Sequence, residues 1–236
     1  MDDPRQRLIV ALDLSSAAAA QKIVAAVGDS AYCYKVGMQL YTAEGPGVVR
    51  DLIASRRRVF LDLKYHDIPH TVAQAVSEAA HLGVSMLTVH ASGGGQMLRA
   101  ATEAAASINA SLMILGVTVL TSLTDNDLDK LGVHGRVQDQ VLRLAAIALA
   151  NGCHGVVASA REAYALRKEF ADDFAIVTPG VRPAGTPHGD QMRVVTPAEA
   201  IAAGASHIVV GRPITEAADP AAEARAILGQ ISAVAA

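Results

Sequence analysis

The chain has 236 residues, of which 51% are hydrophobic and only 3% aromatic, so its core must be built from aliphatic side chains. Twenty Lys and Arg residues against 23 Asp and Glu residues give a formal net charge of -3 with no long run of either sign, which argues against a nucleic-acid or anionic-membrane partner. The N-terminal sequence MDDPRQRL lacks the apolar region of a secretory signal, and the longest charge-free stretch, residues 104–124, is too polar for a membrane span, so we expect a cytoplasmic protein.

Eight apolar, β-rich runs alternate with Ala-rich segments of helical periodicity along the chain. The runs begin at Leu8, Tyr32, Val59, Met86, Leu112, Gly155, Ala175 and His207. Continuous apolar strands joined by helices indicate a parallel sheet that is buried on both faces. We therefore predict an α/β fold in which residues 1–236 form one domain, a single (β/α)8 barrel of parallel strands. A doubly wound open sheet is the alternative, but the GxGxxG motif of a dinucleotide-binding fold is missing after the first strand.

Helix ends are marked by capping residues and glycines. The start signals are Ser15 or Ser16, Thr71, Asp127 or Asp129, and Thr196 before Pro197, and the end signals are Gly83, Gly152 and Gly204. The two cysteines, Cys33 and Cys153, lie beside apolar runs without the spacing of metal ligands. We predict that both are buried, reduced thiols.

Polar and charged side chains gather at the C-terminal ends of the predicted strands, whereas the N-terminal ends are nearly all apolar. These side chains are Asp13, Lys35, Asp62, Lys64, His90, Thr118, Thr121, Arg182 and Arg212. An unpaired buried charge is costly, so these charges must neutralise one another or a ligand. A structural ion-pair network would achieve the first, but it does not explain why the charges share one rim, which in a barrel is the rim of the active site.

The third run and the residues after it read VFLDLKYHDIPHTV. This stretch contains two members of the set, Asp62 and Lys64, and a further carboxylate, Asp67. Asp62 and Lys64 are two residues apart on a strand, so their side chains point to the same face. Asp67 follows the strand end and can reach this space in its own or in a neighbouring subunit. Two carboxylates favour the charged form of Lys64. That argues against a Schiff-base lysine and for one that donates a proton to a developing carbanion.

The last two strands indicate an anionic ligand. Loops after the seventh and eighth strands of a barrel often bind phosphate, and here they hold Arg182, Gln191, Gly211 and Arg212. Gly211 lets the backbone approach a ligand closely. The sequence PAGTPHGD between Arg182 and Gln191 is typical of a lid, with an ordinary surface loop as the alternative interpretation.

Weaker signals favour structural roles. The three glycines at residues 93–95 are interpreted as a turn that opens a helix, with a phosphate nest as the alternative. His90 is interpreted as an orienting or packing residue and not as a base. His66 and His70 flank Asp67 without a third ligand at a credible spacing, so we expect no metal site there.

The positions singled out above lie in one long motif and six short ones. The long one, D-x-K-x-x-D-I-P-x-T, occupies residues 62–71. The short ones are ALD ending at Asp13, KVG from Lys35, TVLTS around Thr121, TPGVRP around Arg182, GDQ ending at Gln191 and GRPI around Arg212. Together they resemble the bacterial orotidine 5'-phosphate decarboxylase family over essentially the whole chain, with no departure at these positions.

The resemblance implies the conversion of orotidine 5'-monophosphate to UMP and CO₂, the last step of de novo pyrimidine synthesis, in a homodimeric barrel without cofactor or metal. By the same resemblance, Lys64 donates a proton to C6 of the base and Asp62 lies beside the departing carboxylate. Lys35 and the partner subunit's Asp67 complete an alternating charge network. The implied substrate contacts are Asp13 and Lys35 at the ribose, Ile68 and Thr71 from the partner subunit, Thr121 at the pyrimidine, and Arg182, Gln191, Gly211 and Arg212 at the phosphate.

Two other functions share parts of this pattern. The 3-keto-L-gulonate 6-phosphate decarboxylases and hexulose-phosphate synthases are similar in the D-x-K-x-x-D core and use magnesium. By resemblance, those enzymes have an acidic metal ligand on the second strand, where this chain has Lys35, a cation that repels a metal ion. A barrel that binds a phosphorylated ligand without catalysis is the other alternative, because a fold alone does not establish chemistry.

Overall fold

Eight parallel strands close into a barrel in the computed structural model, which describes residues 3–170, 173–183 and 195–235. The strands are β1 Leu8–Ala11, β2 Cys33–Gly37, β3 Arg58–Tyr65, β4 Met86–His90, β5 Met113–Val117, β6 Gly155–Val157, β7 Ala175–Thr178 and β8 His207–Val210. Each strand pairs with its sequence neighbour, and β1 closes the barrel by pairing with β8 at Leu8 and Ile208. The predicted (β/α)8 barrel is confirmed, and the open-sheet alternative is wrong.

Helices follow the strands and cover the outside of the barrel. In the described ranges they are α1 Ala17–Val27, α2 Met38–Glu44, α3 Gly47–Ala54, α4 Pro69–Leu82, α5 Gly94–Ile108, α6 Asp125–Lys130, α7 Val137–Ala150, α8 Ala160–Glu169, α9 Pro197–Ala202, α10 Arg212–Thr215 and α11 Pro220–Ala235. Short 3₁₀ helices occupy Pro4–Gln6, Gly28–Ser30 and Ala91–Gly93.

Alternation along the strands divides the core into two parts. One set of buried strand residues fills the barrel interior, including Ile9, Phe60, Met86, Leu115 and Val209. The intervening residues point outward and pack with the helices in a larger, mainly aliphatic cluster. Because successive side chains on a strand point to opposite faces, the same alternation carries the polar residues at the strand ends into the barrel mouth.

Two of the helix starts predicted from the sequence are confirmed. The Ser16 side chain accepts a hydrogen bond from the amide of Ala19 at the start of α1. Thr196 forms a capping box with Glu199, directly before Pro197 at the start of α9. In both places a hydroxyl satisfies an amide that has no partner within the helix.

Two other predicted starts are wrong. Thr71 lies inside the first turn of α4, which begins at Pro69, because proline suits the first helical position and needs no hydroxyl cap. Asp127 does not begin a helix either: it is the third residue of α6, and its carboxylate accepts a hydrogen bond from the amide of Thr124, which is the true N-cap. Asp129 lies further along the same helix.

The glycines predicted to end helices do so. Gly83 is the C-cap of α4, and Gly152 and Gly204 each follow the C-cap of a helix by one residue. All three have positive φ angles, of 84°, 86° and 105°, a backbone region that favours glycine.

The N-terminal ends of the strands are less apolar than expected. Arg58 is the first residue of β3 and His207 is the first residue of β8, and Arg7 directly precedes β1. His207 is buried at this end of the barrel, opposite the mouth that carries the predicted site.

Both cysteines are buried free thiols, as predicted. Burial raises the pKa of Cys33 and of Cys153 to about 12, which keeps both thiols protonated and unreactive near neutral pH. No helix in the described part of the chain has the length and apolar character needed to cross a membrane.

Candidate active site

Four charged side chains meet at the C-terminal ends of β1, β2 and β3. Asp13 follows β1 by two residues, Lys35 lies in β2, and Asp62 and Lys64 lie in β3. The Lys35 ammonium is 2.7 Å from Oδ1 of Asp13 and 3.7 Å from Oδ2 of Asp62. The Lys64 ammonium donates to the other oxygen of Asp62, Oδ1, at 2.8 Å. The result is a chain of alternating charges that ends on Lys64.

Burial makes this alternation necessary. The side chains of Lys35, Asp62 and Lys64 are only 11%, 13% and 24% exposed, whereas Asp13 is 56% exposed. Two ammonium groups and two carboxylates leave no formal net charge, so the network compensates the desolvation of its inner members. The four side chains therefore do form an ion-pair network, as the structural interpretation expects. The same side chains also line two cavities.

Two adjoining cavities share Lys35 and Asp62. The first, of about 170 Å³, is largely apolar and reaches Lys64. Its other lining residues are Phe60, Val117, Val119, Leu120, Thr121, Val157, Ala158, Val177, Pro179 and Val209. The second, of about 420 Å³, is more polar and contains Asp13, Arg182, Gly211 and Arg212. Together they suit a ligand with a flat ring at one end and an anionic group at the other.

The second cavity carries two arginines, Arg182 and Arg212, with Glu216 beside them. Arg182 is buried, and burial together with the nearby charge of Arg212 lowers the pKa of its guanidinium, with Glu216 acting in the opposite direction. A Cβ on Gly211 would stand 3.4 Å from the Cβ of Ala11, so the backbone of Gly211 lies directly against the cavity wall formed by the end of β1. The predicted set Arg182, Gly211 and Arg212 is thus brought together, while Gln191 and the predicted lid from residue 184 onward lie outside the described residues.

Lys64 has an unusual backbone. Its φ angle is 52°, in the left-handed region, which costs a residue other than glycine about 1–2 kcal/mol. The strand pairing between β3 and β4 shifts at this point, between Leu61 and Tyr65. Bulges of this kind are over-represented next to active sites, where they re-aim a side chain.

Asp67, Ile68 and Thr71 are placed differently from the other predicted residues. All three are exposed, and none of them lines either cavity of this chain. The Oδ1 of Asp67 accepts a hydrogen bond of 2.7 Å from the amide of Ile68, whose side chain is 66% exposed. Within a single chain, therefore, the structure does not bring Asp67 to Lys64.

Sequence reasoning missed Thr88 and most of the apolar lining of the first cavity. Thr88 is completely buried, and its hydroxyl contacts both the carboxylate of Asp62 and the amide of Lys64. In the apolar run MLTVH it is indistinguishable from a core threonine. The available signal was its spacing, two residues from Met86 on the barrel-facing side of β4.

The weaker signals agree with structural roles. His90 packs on His66, with ring centroids 5.2 Å apart, and burial followed by the nearby charges of His66 and Lys64 lowers its pKa. Gly94 begins α5, so the glycines do open a helix. No group of three metal-binding side chains occurs among the residues that the structure describes, and the expected independence from metal stays a prediction.

The chain matches known proteins both in sequence and in fold. A sequence profile described as Orotidine 5'-phosphate decarboxylase / HUMPS family matches residues 6–227. An orotidine 5'-phosphate decarboxylase of Halorhodospira halophila is 52% identical over 227 residues, covering 96% of each chain. One from Moorella thermoacetica is 50% identical over 236 residues, covering 98% of this chain and 94% of that protein. The crystal structure of orotidine 5'-phosphate decarboxylase from Lactobacillus acidophilus matches with a TM-score of 0.85 at 39% identity, covering 95% of this chain and 98% of that one.

Proposed function

Because this chain belongs to the orotidine 5'-phosphate decarboxylase / HUMPS family, we propose that it converts orotidine 5'-monophosphate to UMP and CO₂, the last step of de novo pyrimidine synthesis. The observation that carries this proposal is the ammonium of Lys64, held 2.8 Å from Asp62 at the edge of an apolar cavity that adjoins a cationic one. A pyrimidine ring suits the apolar cavity, and a 5'-phosphate suits the cationic one.

The reaction needs a cation at the carbon that loses CO₂. When the bond between C6 and the carboxylate breaks, the electron pair stays on C6 in an orbital orthogonal to the ring π system. The barrier is correspondingly high, and the enzyme must supply on the order of 20 kcal/mol. The Lys64 ammonium stabilises that charge as it forms and then donates its proton to C6, which gives UMP and a neutral amine that solvent reprotonates.

Asp62 prepares this step by holding the ammonium in place before the substrate arrives. Its two oxygens contact Lys64 and Lys35 at 2.8 and 3.7 Å, so neither cation needs to reorganise during the reaction. In the proposed complex Asp62 also lies beside the departing carboxylate.

The remaining cavity residues hold the rest of the substrate. Asp13 and Lys35 are assigned to the ribose hydroxyls, and Thr121 to the pyrimidine. Arg182, Gly211 and Arg212, with Gln191, are assigned to the phosphate, where two guanidinium groups and a closely approaching backbone suit a dianion. Binding energy from this remote group can then be used to accelerate the chemical step.

We further propose a cytoplasmic homodimer in which Asp67, Ile68 and Thr71 enter the site of the partner subunit. Two observations support this arrangement. These residues are exposed and do not line the cavities of their own chain. A side chain as apolar as Ile68 is also 66% exposed beside the site, which suits burial in an interface.

The position of Lys35 favours this reaction over that of the magnesium-dependent sister enzymes. Its ammonium sits 2.7 Å from Asp13 and 3.7 Å from Asp62, so it supplies the positive charge between two carboxylates that a divalent ion would otherwise supply. Every positive charge that the proposed reaction uses comes from a side chain.

A decarboxylation assay that follows the loss of orotidylate absorbance tests the proposal. We expect turnover that survives exhaustive chelation, and a decrease in kcat of at least about a thousandfold for Lys64→Ala with UMP binding retained. Lys22→Ala, at an exposed position on α1, is the matched control and should behave as wild type.

Three results would overturn parts of this scheme. Loss of turnover with EDTA, restored by Mg²⁺, would move the chain to the magnesium-dependent sisters. Binding of UMP without any turnover would indicate a non-catalytic barrel. Retention of a tenth of the wild-type kcat in Lys64→Ala, a barrier change of only about 1.4 kcal/mol, would remove Lys64 from the proton-donor role.

A further inference from the structure

The inference starts from the strand pairing around Lys64. On one side of the shift Leu61 pairs with Leu87, and on the other Tyr65 pairs with Val89. Four steps along β3 therefore correspond to two steps along β4, so that residues 62–64 lie opposite the single residue Thr88. A bulge leaves backbone groups without their partners in the sheet.

The hydroxyl of Thr88 takes over the role of such a partner. The amide of Lys64 donates to Oγ1 of Thr88 at 2.9 Å, and the same hydroxyl donates to Oδ1 of Asp62 at 3.0 Å. A hydroxyl group has one donor and two acceptor sites, so one side chain can make both bonds at once. Asp62 Oδ1 also accepts the hydrogen bond that the Lys64 ammonium donates. Thr88 thus links the backbone of Lys64 to the carboxylate that holds its side chain.

Thr88 is separated from the substrate space. It is completely buried and lines neither of the two cavities. Its hydroxyl bonds to Asp62 and to the amide of Lys64, so we expect an effect of that hydroxyl on turnover to act through these two residues.

We propose that Thr88 is a positioning residue of the decarboxylation site. It fixes the left-handed backbone of Lys64, whose φ is 52°, and the orientation of the Asp62 carboxylate, so that the ammonium is held at the edge of the apolar cavity. Its effect on turnover rests on the proposed function, whereas its effect on the backbone of Lys64 does not.

Two comparisons, wild type with Thr88→Val and Thr88→Ser with Thr88→Ala, isolate the hydroxyl from the rest of the side chain. Thr88→Val keeps the shape of threonine and removes both hydrogen bonds. Thr88→Ser and Thr88→Ala differ from each other by a single oxygen, and they serve even if the valine variant fails to fold. Thr178→Val is the matched control, because Thr178 is a completely buried strand threonine whose hydroxyl has no hydrogen-bond partner in the described structure.

Turnover and amide exchange are then measured on the same proteins. We expect kcat to fall about 10- to 100-fold in Thr88→Val and Thr88→Ala, since small misplacements of a reacting group have effects of this size. KM should change less than about threefold, because the cavity lining is unaltered. Thr88→Ser should stay within about threefold of wild type and Thr178→Val should match it. Hydrogen exchange of a peptide that contains the Lys64 amide should be faster in the valine and alanine variants alone.

The proposal is overturned if Thr88→Ser is as impaired as Thr88→Ala, or if the valine variant matches the Thr178→Val control in kcat. It is also overturned if exchange at Lys64 is the same in all variants. If the wild type does not decarboxylate orotidylate, the proposed function fails, while the exchange measurement still decides whether Thr88 holds the backbone of Lys64.

Discussion

At the scale of single residues, the site depends on a missing side chain as well as on charged ones. Gly37 ends β2, and a Cβ there would stand 2.9 Å from the Lys35 ammonium and 3.0 Å from Oδ1 of Asp13. Its φ of -96° is accessible to any residue, so the constraint is contact and not backbone strain. We predict that Gly37→Ala displaces the flexible end of Lys35 and lowers kcat/KM at least about tenfold, a barrier change of about 1.4 kcal/mol. Steady-state kinetics and a circular dichroism spectrum measure the effect.

The matched control is Gly47→Ala. Gly47 begins α3, and a Cβ at this position meets no atom within 4 Å. This variant should keep wild-type kinetics. Equal kinetics for Gly37→Ala would show that the Lys35–Asp13 pair tolerates crowding and does not set the geometry of the site.

The sequence predicts the position of a side chain correctly where the two-residue period of a strand sets the face to which it points. Asp62 and Lys64 were placed on one face because they are two residues apart, and the structure brings their side chains together. Thr88 was missed because its role depends on the register between two strands. Where the register shifts, the amide of Lys64 donates to the Thr88 hydroxyl. This shift is a property of the β3–β4 pair and is not encoded in the sequence of either strand alone.

At the scale of elements, the two ends of the strands have different electrostatics. His207, the first residue of β8, is buried, and its Nδ1 has no hydrogen-bond partner among the described residues. Burial, followed by the charges of Arg58 and Arg7, lowers the pKa of His207 to about 4. The folded barrel therefore keeps this imidazole neutral over a pH range in which the unfolded chain, with an ordinary histidine pKa near 6.5, takes up a proton.

We predict that this histidine makes the barrel less stable in acid. Its contribution is fully present above about pH 6.5 and is lost as the pH falls toward 4, by a total on the order of 3 kcal/mol. Urea unfolding at fixed protein concentration between pH 7 and 4.5 measures the decrease. His207→Gln cannot take up the proton, so its free energy of unfolding should depend less steeply on pH.

His81→Gln, at an exposed position on α4, is the control for this experiment and should keep the wild-type slope. The same slope in His207→Gln would mean that other groups cause the acid sensitivity and that His207 is protonated as readily in the folded chain as in the unfolded one.

Element boundaries were predictable where a cap alone sets them. Ser16 and Thr196 begin helices because their hydroxyls accept amide hydrogen bonds. Thr71 and Asp127 have the same chemistry but lie inside helices, because Pro69 and Thr124 already begin α4 and α6. A sequence shows which residues can cap, but competition between neighbouring candidates is decided by how the loop enters the helix.

At the scale of the whole molecule, apolar strands that need cover on both faces predict a parallel sheet, and the count of eight strand–helix repeats favours the closed barrel that the structure shows. The same repeats also place the site, since the C-terminal ends of all eight parallel strands meet at one mouth. The proposed contribution of a partner subunit does not follow from these repeats. Asp67 and Ile68 are exposed beside the mouth and are absent from the lining of their own chain's cavities.

The proposed exchange of Asp67 between subunits makes a quantitative prediction for mixed dimers. Lys64→Ala and Asp67→Ala are prepared separately, and each homodimer should be nearly inactive because every site lacks one member of the network. In a two-fold symmetric dimer the mixed species has one site that lacks both groups and one that combines Lys64 of one chain with Asp67 of the other. That second site is complete.

Random exchange of an equimolar mixture makes about half of the dimers mixed, each with one complete site of two, so activity should recover to about a quarter of wild type. The matched control mixes Lys64→Ala with Asp62→Ala. Asp62 and Lys64 are 2.8 Å apart on one strand of one chain, so no arrangement of these subunits contains a complete site and no activity should return. Recovery in the first mixture alone assigns Asp67 to the partner's site. If both mixtures stay inactive after subunit exchange has been confirmed by mass spectrometry, Asp67 serves the Lys64 of its own chain and the shared site is refuted, even for a dimeric enzyme that decarboxylates orotidylate.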